Sequence, residues 1–199
     1  TEAIRMAWPA VLESVFVSLA GIIDTFMVSS MGTYAVAATG LIIQPKFLSL
    51  SFFFAINVAV SALVARRLGQ NNRRNANQVL MTALLIVVLL CVVLTVVTVI
   101  FANPLITICG SNADTHEGAV IYFRVIQVGM IFNVLLLVIN AAQRGAGNTK
   151  IAMITNVTSS IVNIIFNYLL IGGNFGFPKW GLFGAAFATV LGTVFACAM

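Results

Sequence analysis

The sequence predicts an all-α membrane protein whose chain crosses the bilayer six times. Of its 199 residues, 61% are hydrophobic and only 8% are charged, whereas a soluble domain carries about 25% charged residues. The mean hydropathy is +1.09. Apolar stretches of about 20 residues, the length that crosses a bilayer as a helix, recur along the whole chain. Because no soluble core could bury this much apolar surface, a polytopic membrane fold is predicted.

Short polar segments divide the chain into six predicted spans. The spans are predicted at residues 7–31, 36–65, 77–101, 119–142, 151–171 and 183–199. We place Pro9 in the first turn of the first span, where proline costs least. The second span contains Gln44-Pro45-Lys46, where we expect a kink or a late start. Asn103-Pro104 ends the third span.

The basic residues predict the sidedness of the spans. The chain start, the loop between spans two and three, and the loop between spans four and five carry most of them: Arg5, Arg66, Arg67, Arg73, Arg74, Arg144 and Lys150. The opposite side has Lys179 in a loop, with Lys46 and Arg124 near helix ends. The positive-inside rule then places the N-terminus and both loops in the cytoplasm, with the spans in the cell membrane, expected to be a bacterial inner membrane. The net charge of +5 is therefore attributed to topology, and no nucleic acid partner is expected.

The first span contains ionisable residues. An ionisable group at the centre of a membrane helix costs about 2.5–3.5 kcal/mol on insertion scales, so Asp24 is a functional candidate. Glu13 lies eleven residues earlier, close to three helical turns, and projects from nearly the same face. The alternative is that one or both carboxylates lie near a membrane surface and are hydrated.

A stripe of polar side chains follows the fifth span. Four residues share one helical face there, at positions i, i+4, i+7 and i+11: Asn156, Ser160, Asn163 and Asn167. The fourth span carries Asn133 and Asn140, two turns apart. Because amides that face lipid would lack hydrogen-bond partners, these residues should face protein or a watery cavity shared with Asp24. The alternative is that the asparagines only join helices by interhelical hydrogen bonds.

Such a cavity supports the binding of cations. Amide and hydroxyl oxygens together with one carboxylate suit Na⁺. A desolvated carboxylate disfavours its charged form and can carry a proton instead.

The sequence offers no nucleophile–base arrangement and no paired catalytic acids, so an enzyme is not expected. We expect no cofactor and no metal site beyond a possible Na⁺ at Asp24. Asp114, His116 and Glu117 are predicted to lie in a solvated loop, because they lack the fixed spacing of metal ligands.

Six short motifs are spread over the chain. They are WPAVLE at 8–13, IDTFMV at 23–28, VARRLG at 64–69, RGAGNT at 144–149, NIIFNYLLI at 163–171 and GAAFAT at 184–189. Together and in this order they resemble the N-terminal half of a MATE (multidrug and toxic compound extrusion) transporter. The resemblance covers essentially the whole chain. It implies a twelve-helix antiporter of two six-helix lobes, of which residues 1–199 form the N-lobe and the C-lobe is absent.

The resemblance also implies a function. Such proteins export cationic amphipathic drugs or toxic compounds against an inward flow of Na⁺ or H⁺, by alternating access between the lobes. The expected partners are small cationic substrates, membrane lipid and the missing C-lobe. This chain alone, with about six helices, should not transport by movement of one lobe against the other.

Residues are carried over from the resemblance position by position. In members with an N-lobe cation site, the carboxylate matches Asp24, and the other ligands match Asn163, Asn167 and Thr189. The position of Asn167 is often aspartate in the family, so this site holds one carboxylate where others hold two. The candidates for the substrate cavity are Glu13, Asn133, Asn140, Asn156 and Ser160.

Two alternatives to an antiporter stay open. One is a flippase of the same superfamily that moves lipid-linked oligosaccharides, whose cavity would hold more basic residues for a pyrophosphate. The other is a non-transporting membrane half-module that acts as a scaffold. A channel is disfavoured because no filter-like loop lies between the spans.

Overall fold

The computed structural model describes residues 2–176 and 178–199, with side chains described from Trp8 onward except at position 177. The side chain of Arg5, which was used to predict sidedness, lies outside this part. The helices are α1 (Glu2–Ser29), α2 (Thr33–Leu41), α3 (Ile43–Gly69), α4 (Arg73–Ile100), α5 (Ala102–Ile108), α6 (Ala113–Gly145), α7 (Thr149–Gly172) and α8 (Gly181–Ala198), with a 3-10 turn at Asn174–Gly176.

The described residues contain six helical segments that are long and apolar enough to cross a membrane. These segments are Trp8–Ser29, Thr33–Gly69, Arg73–Ile100, Ala113–Gly145, Thr149–Gly172 and Gly181–Ala198. The second segment comprises α2 and α3, and every regular element in the described part is helical. The predicted all-α fold with six spans is confirmed.

The second span breaks where its proline requires it. Proline lacks an N–H, and its ring clashes with the carbonyl four residues earlier in a continuous helix. For Pro45 that residue is Leu41, and α2 ends at Leu41. Helix α3 then begins at Ile43, with Lys46 in its first turns. The expected kink is confirmed, whereas the placement of Pro9 in a first turn is wrong, because α1 begins at Glu2.

The arginine-rich connection between the second and third spans is shorter than predicted. Helix α3 continues to Gly69 and α4 begins at Arg73, so only 70–72 connect them. The Asn72 side chain accepts a hydrogen bond from the Asn75 N–H at 3.1 Å and so caps α4. The prediction of a loop with four arginines was therefore wrong, because α3 continues through Arg66 and Arg67 and the Asn72 cap starts α4 at Arg73.

Helix α6 also begins earlier than predicted, at Ala113. Thr115 stands at the third helical position, and its hydroxyl accepts a hydrogen bond from the Asn112 N–H at 3.1 Å. Asp114, His116 and Glu117 thus lie in helix rather than in the predicted loop, which is a correction. Within the described part, no group of three or more His, Cys, Asp or Glu residues could hold a metal ion.

Helix α6 packs against α3, α4 and α8, while α7 packs mainly against α1 and α8. One buried apolar cluster includes Ile106 and Phe123, and a second includes Phe53, Val87 and Val134. Large apolar side chains on the outer surfaces are exposed, as expected for helices that face lipid.

Helices α7 and α8 approach each other closely at small residues. A Cβ atom on Gly192 would lie 2.6 Å from the Ser159 carbonyl oxygen of α7. A Cβ atom on Gly184 would lie 3.0 Å from Leu170. Packing at small residues is a principal source of helix association in membranes, where the hydrophobic effect contributes little. This close contact holds Thr189, which lies between the two glycines in the sequence, against α7.

We predict that Gly192→Ala will destabilise the protein by about 1–3 kcal/mol, because the added methyl must displace backbone of α7. The measurement is the free energy of unfolding of the full-length protein in mixed detergent micelles. Gly21→Ala is the matched control, because a Cβ atom there meets nothing within 4 Å. Equal stability of the two variants would contradict close packing of α7 on α8.

Candidate functional site

The four residues assigned to a cation site lie on three helices and are joined by hydrogen bonds. Asn167 Nδ2 donates to Asp24 Oδ1 and also to Asn163 Oδ1, the latter at 3.3 Å. Asn163 Nδ2 donates to Thr189 Oγ1 at 3.1 Å. We call Asp24, Asn163, Asn167 and Thr189 the Asp24 network. It connects α1, α7 and α8, with Asn167 buried and the other three residues half-buried.

The Asp24 network presents oxygen atoms. Asn167 is fully buried and uses its N–H groups on its two neighbours, while its Oδ1 has no hydrogen-bond partner among the described residues. A buried acceptor without a partner costs about 1–3 kcal/mol. Carboxylate, amide and hydroxyl oxygens are the ligands that hard cations prefer. The arrangement can therefore hold a cation beside Asp24, or a proton on its carboxylate.

Two neighbours of the Asp24 network were not predicted. Tyr122 of α6 is buried, and its hydroxyl lies beside Thr189 and close to Asp24. Lys46 of α3 is half-buried, and its ammonium lies close enough to the Asp24 carboxylate to interact with its charge. No direct ion pair within 4.0 Å joins Lys46 and Asp24 in the described structure. The sequence signal next to Lys46 was Pro45, because the break before α3 places Lys46 in the first turns of that helix.

The five substrate-cavity candidates line one cavity of about 300 Å³. Glu13, Asn133, Asn140, Asn156 and Ser160 all border it, together with Arg144. The helices that enclose it are α1, α6, α7 and α8. The sequence therefore identified polar residues that share one space, although they come from three different helices.

A second polar network holds part of this cavity together. Glu13 Oε1 accepts hydrogen bonds from Asn156 Nδ2 and, at 3.2 Å, from Arg144 Nη1. Asn156 Oδ1 accepts from Asn140 Nδ2 at 3.0 Å. Asn140 Oδ1 accepts from the Thr155 hydroxyl at 3.0 Å. We call Glu13, Arg144, Asn156 and Asn140 the Glu13 network. Asn140 and Asn156 thus join helices as well as line the cavity.

Arg144 was assigned to a loop in the sequence and instead neutralises Glu13. Helix α6 continues to Gly145, which brings Arg144 to the cavity. The Glu13 side chain is only 14% exposed in this ion pair. The pair adds no net charge to the cavity, so Glu13 is not a free carboxylate for a cationic substrate.

The two networks align α1 with α7. Glu13 and Asp24 are eleven residues apart on α1, and their amide partners Asn156 and Asn167 are eleven residues apart on α7. Both helices therefore advance by the same three turns between the two contacts, which requires them to run side by side in the same direction.

Comparison of the chain with known proteins identifies a family and several relatives. The family model MatE matches residues 9–169. The chain is 32% identical to the probable multidrug resistance protein YoeA of Bacillus subtilis, over 94% of this chain and 40% of that protein. It is 30% identical to the probable multidrug resistance protein NorM of Thermotoga maritima, over 96% of this chain and 41% of that protein. It is also 30% identical to an FAD transporter of Shewanella oneidensis, over 84% of this chain and 37% of that protein.

Solved structures show the same fold. An outward-facing multidrug resistance MATE family transporter matches with a TM-score of 0.90 and 28% identity, over 99% of this chain and 43% of that one. A MOP superfamily transporter from Pyrococcus furiosus matches with a TM-score of 0.89 and 28% identity, over the same shares. The chain spans about two fifths of the length of the curated relatives it matches. The relatives are transporters and resistance proteins rather than enzymes, and the chain belongs to the MatE family of multi-pass membrane transporters.

Proposed function

We propose that the protein carrying this chain is an antiporter that exports cationic amphipathic compounds against an inward flow of Na⁺ or H⁺. The Asp24 network carries this proposal, because it places one carboxylate and several amide and hydroxyl oxygens together inside a membrane bundle. Export by alternating access needs a second six-helix lobe facing the 300 Å³ cavity, and we propose that the intact protein supplies it.

The coupling ion binds at Asp24 in this proposal. An arriving Na⁺ or proton neutralises the carboxylate, and the free Oδ1 of Asn167 is positioned to join the ligands of a Na⁺. Asn167 is also the contact between α7 and Asp24 of α1. Binding or release of the ion therefore changes the interaction between these two helices, which is the step that couples the ion to a conformational change.

We propose that the Glu13 end of the bundle faces the cytoplasm. This orientation follows from the arginines at the ends of α3 and α4 and from Arg144 and Lys150 between α6 and α7. Glu13 and Asp24 are eleven residues apart, or about 16 Å along α1 at 1.5 Å per residue. The substrate cavity and the ion site then lie at different depths in the membrane.

The charge of the cavity lining bears on the class of substrate that we propose. The relatives include probable multidrug resistance proteins and an FAD transporter, so the family includes members with different cargo. The flippase alternative requires a basic cavity, but Arg144, the basic residue lining the 300 Å³ cavity within the described part, is paired with Glu13. The 300 Å³ cavity thus lacks the excess of basic residues that a pyrophosphate would need, and we keep cationic amphipathic compounds as the proposed substrate class.

The experiment uses the full-length protein in proteoliposomes loaded with a fluorescent cationic dye. Dye movement is recorded under an inward Na⁺ gradient, and separately under a pH gradient, with FAD added as a competitor in parallel. Dye movement driven by one gradient supports the antiport function and identifies the coupling ion as Na⁺ or H⁺. Competition by FAD would contradict the cationic substrate class, and no movement under either gradient would favour a flippase or a scaffold.

We predict that Asp24→Asn will abolish coupled dye export while the protein stays folded. Asparagine keeps the size of the side chain and a hydrogen-bonding oxygen for Asn167, but it cannot exchange a positive charge. Initial export rates in proteoliposomes measure the effect. The matched control is Asp114→Asn, at an exposed position near the start of α6. Export at the wild-type rate by the Asp24 variant would overturn the ion site.

We predict that Asn167→Asp will lower the concentration of the driving ion needed for half-maximal export. The substitution places a second carboxylate beside Asp24, and two carboxylates attract a shared cation more strongly than one. The measurement is a titration of export rate against Na⁺ or H⁺ concentration. An unchanged titration curve would place the coupling site elsewhere in the protein.

A further inference from the structure

A small internal cavity lies next to the Asp24 network, between α3, α6 and α8. Its volume is about 20 Å³, enough for about one water molecule. Polar side chains of Lys46, Gln127, Asn133, Thr189 and Thr193 border it. Thr189 belongs to the Asp24 network as well, so this cavity adjoins the proposed ion site.

Gln127 presents an unsatisfied acceptor in this region. The side chain is fully buried, and its Nε2 donates to Thr98 Oγ1 at 2.7 Å and to Ser49 Oγ at 3.3 Å. Both amide hydrogens are thereby used, and the Oε1 atom has no hydrogen-bond partner among the described residues. A buried acceptor of this kind needs a donor.

Lys46 is a suitable donor. An ammonium has three N–H donors on a flexible four-carbon stem and accepts no hydrogen bonds. The Lys46 side chain borders the same cavity as Gln127, and its charge also reaches the Asp24 carboxylate. One ammonium thus lies near two acceptors, an amide oxygen of α6 that borders the same cavity and the carboxylate of α1, and forms a hydrogen bond with neither in the described structure.

We propose that Lys46 is an internal counter-cation of the Asp24 network, which turns towards Asp24 when the coupling ion has left and towards Gln127 Oε1 when an ion is bound. The proposal rests on the proposed antiport function. It assigns to Lys46 a role in setting the affinity for the coupling ion and the ease of its release.

The physical reason for a counter-cation is the free-energy cost of leaving the Asp24 carboxylate without a bound ion. A carboxylate without a cation is expensive inside a membrane, and that cost opposes release of the ion. A tethered ammonium reduces the cost without leaving the protein. It also competes with the incoming ion, because two cations near one carboxylate repel each other.

The test is a titration of dye export against the driving ion for the full-length wild type and three variants. We expect Lys46→Gln to lower the half-maximal concentration about tenfold, since removing a nearby charge inside a protein changes a binding equilibrium by roughly this factor. Maximal export should also slow, because release becomes harder. Lys46→Arg keeps the charge and should stay within about twofold of wild type. Lys179→Gln, at an exposed loop position, is the control and should not change the curve.

The outcomes separate this proposal from the antiport function. If Asp24→Asn is inactive but Lys46→Gln leaves the half-maximal concentration unchanged, the counter-cation role is overturned and the ion site stands. If Lys46→Gln and Lys46→Arg both raise the half-maximal concentration, Lys46 has a structural role and the proposal is again overturned. If the wild type shows no export under either gradient, both proposals fail.

Discussion

The hydrogen bond from Asn167 to Asp24 is the contact on which the position of α1 in the bundle depends. Much of the apolar surface of α1 is exposed, including Ile22 and Phe26, so α1 is held by other helices on one side only. Helix α1 meets the bundle mainly through α7. Within a bilayer a carboxylate must find polar partners, and α7 supplies them at matching intervals to Asp24 and to Glu13. Polar contacts therefore fix the register of α1 against α7.

The polar contacts in turn depend on close packing elsewhere. Thr189 reaches Asn163 because Gly184 and Gly192 allow α8 to approach the backbone of α7. A Cβ atom at either glycine would come within 3.0 Å of α7, so the helices would have to shift apart and disturb the contact of Thr189 with Asn163. Small residues thus do in this protein what a large apolar core does in a soluble one, namely hold functional side chains at fixed distances.

The six spans and the polar face of α7 could be predicted from the sequence, because hydropathy and helical periodicity are local properties. The pairing of Glu13 with Arg144 could not, because it depends on where α6 ends and on which helix lies beside that end. The position of Lys46 depends on the break before Pro45. The sequence predicted this break but not the direction in which α3 continues after it. The early start of α6 was encoded by Asn112 and Thr115, a capping pair that hydropathy does not detect.

The two acidic residues of the first span differ in how their charge is balanced, and this difference supports the different roles that we propose for them. Glu13 forms a direct ion pair with Arg144 and accepts a further bond from Asn156, so its charge is compensated within the protein. A carboxylate held in this way cannot exchange its partner without breaking a contact between helices. Asp24 has a basic residue nearby but no direct ion pair with it, so its charge is moderated while its oxygens remain accessible to a transferable cation. We therefore propose that a direct ion pair, present at Glu13 and absent between Lys46 and Asp24, separates a structural carboxylate from an exchangeable one.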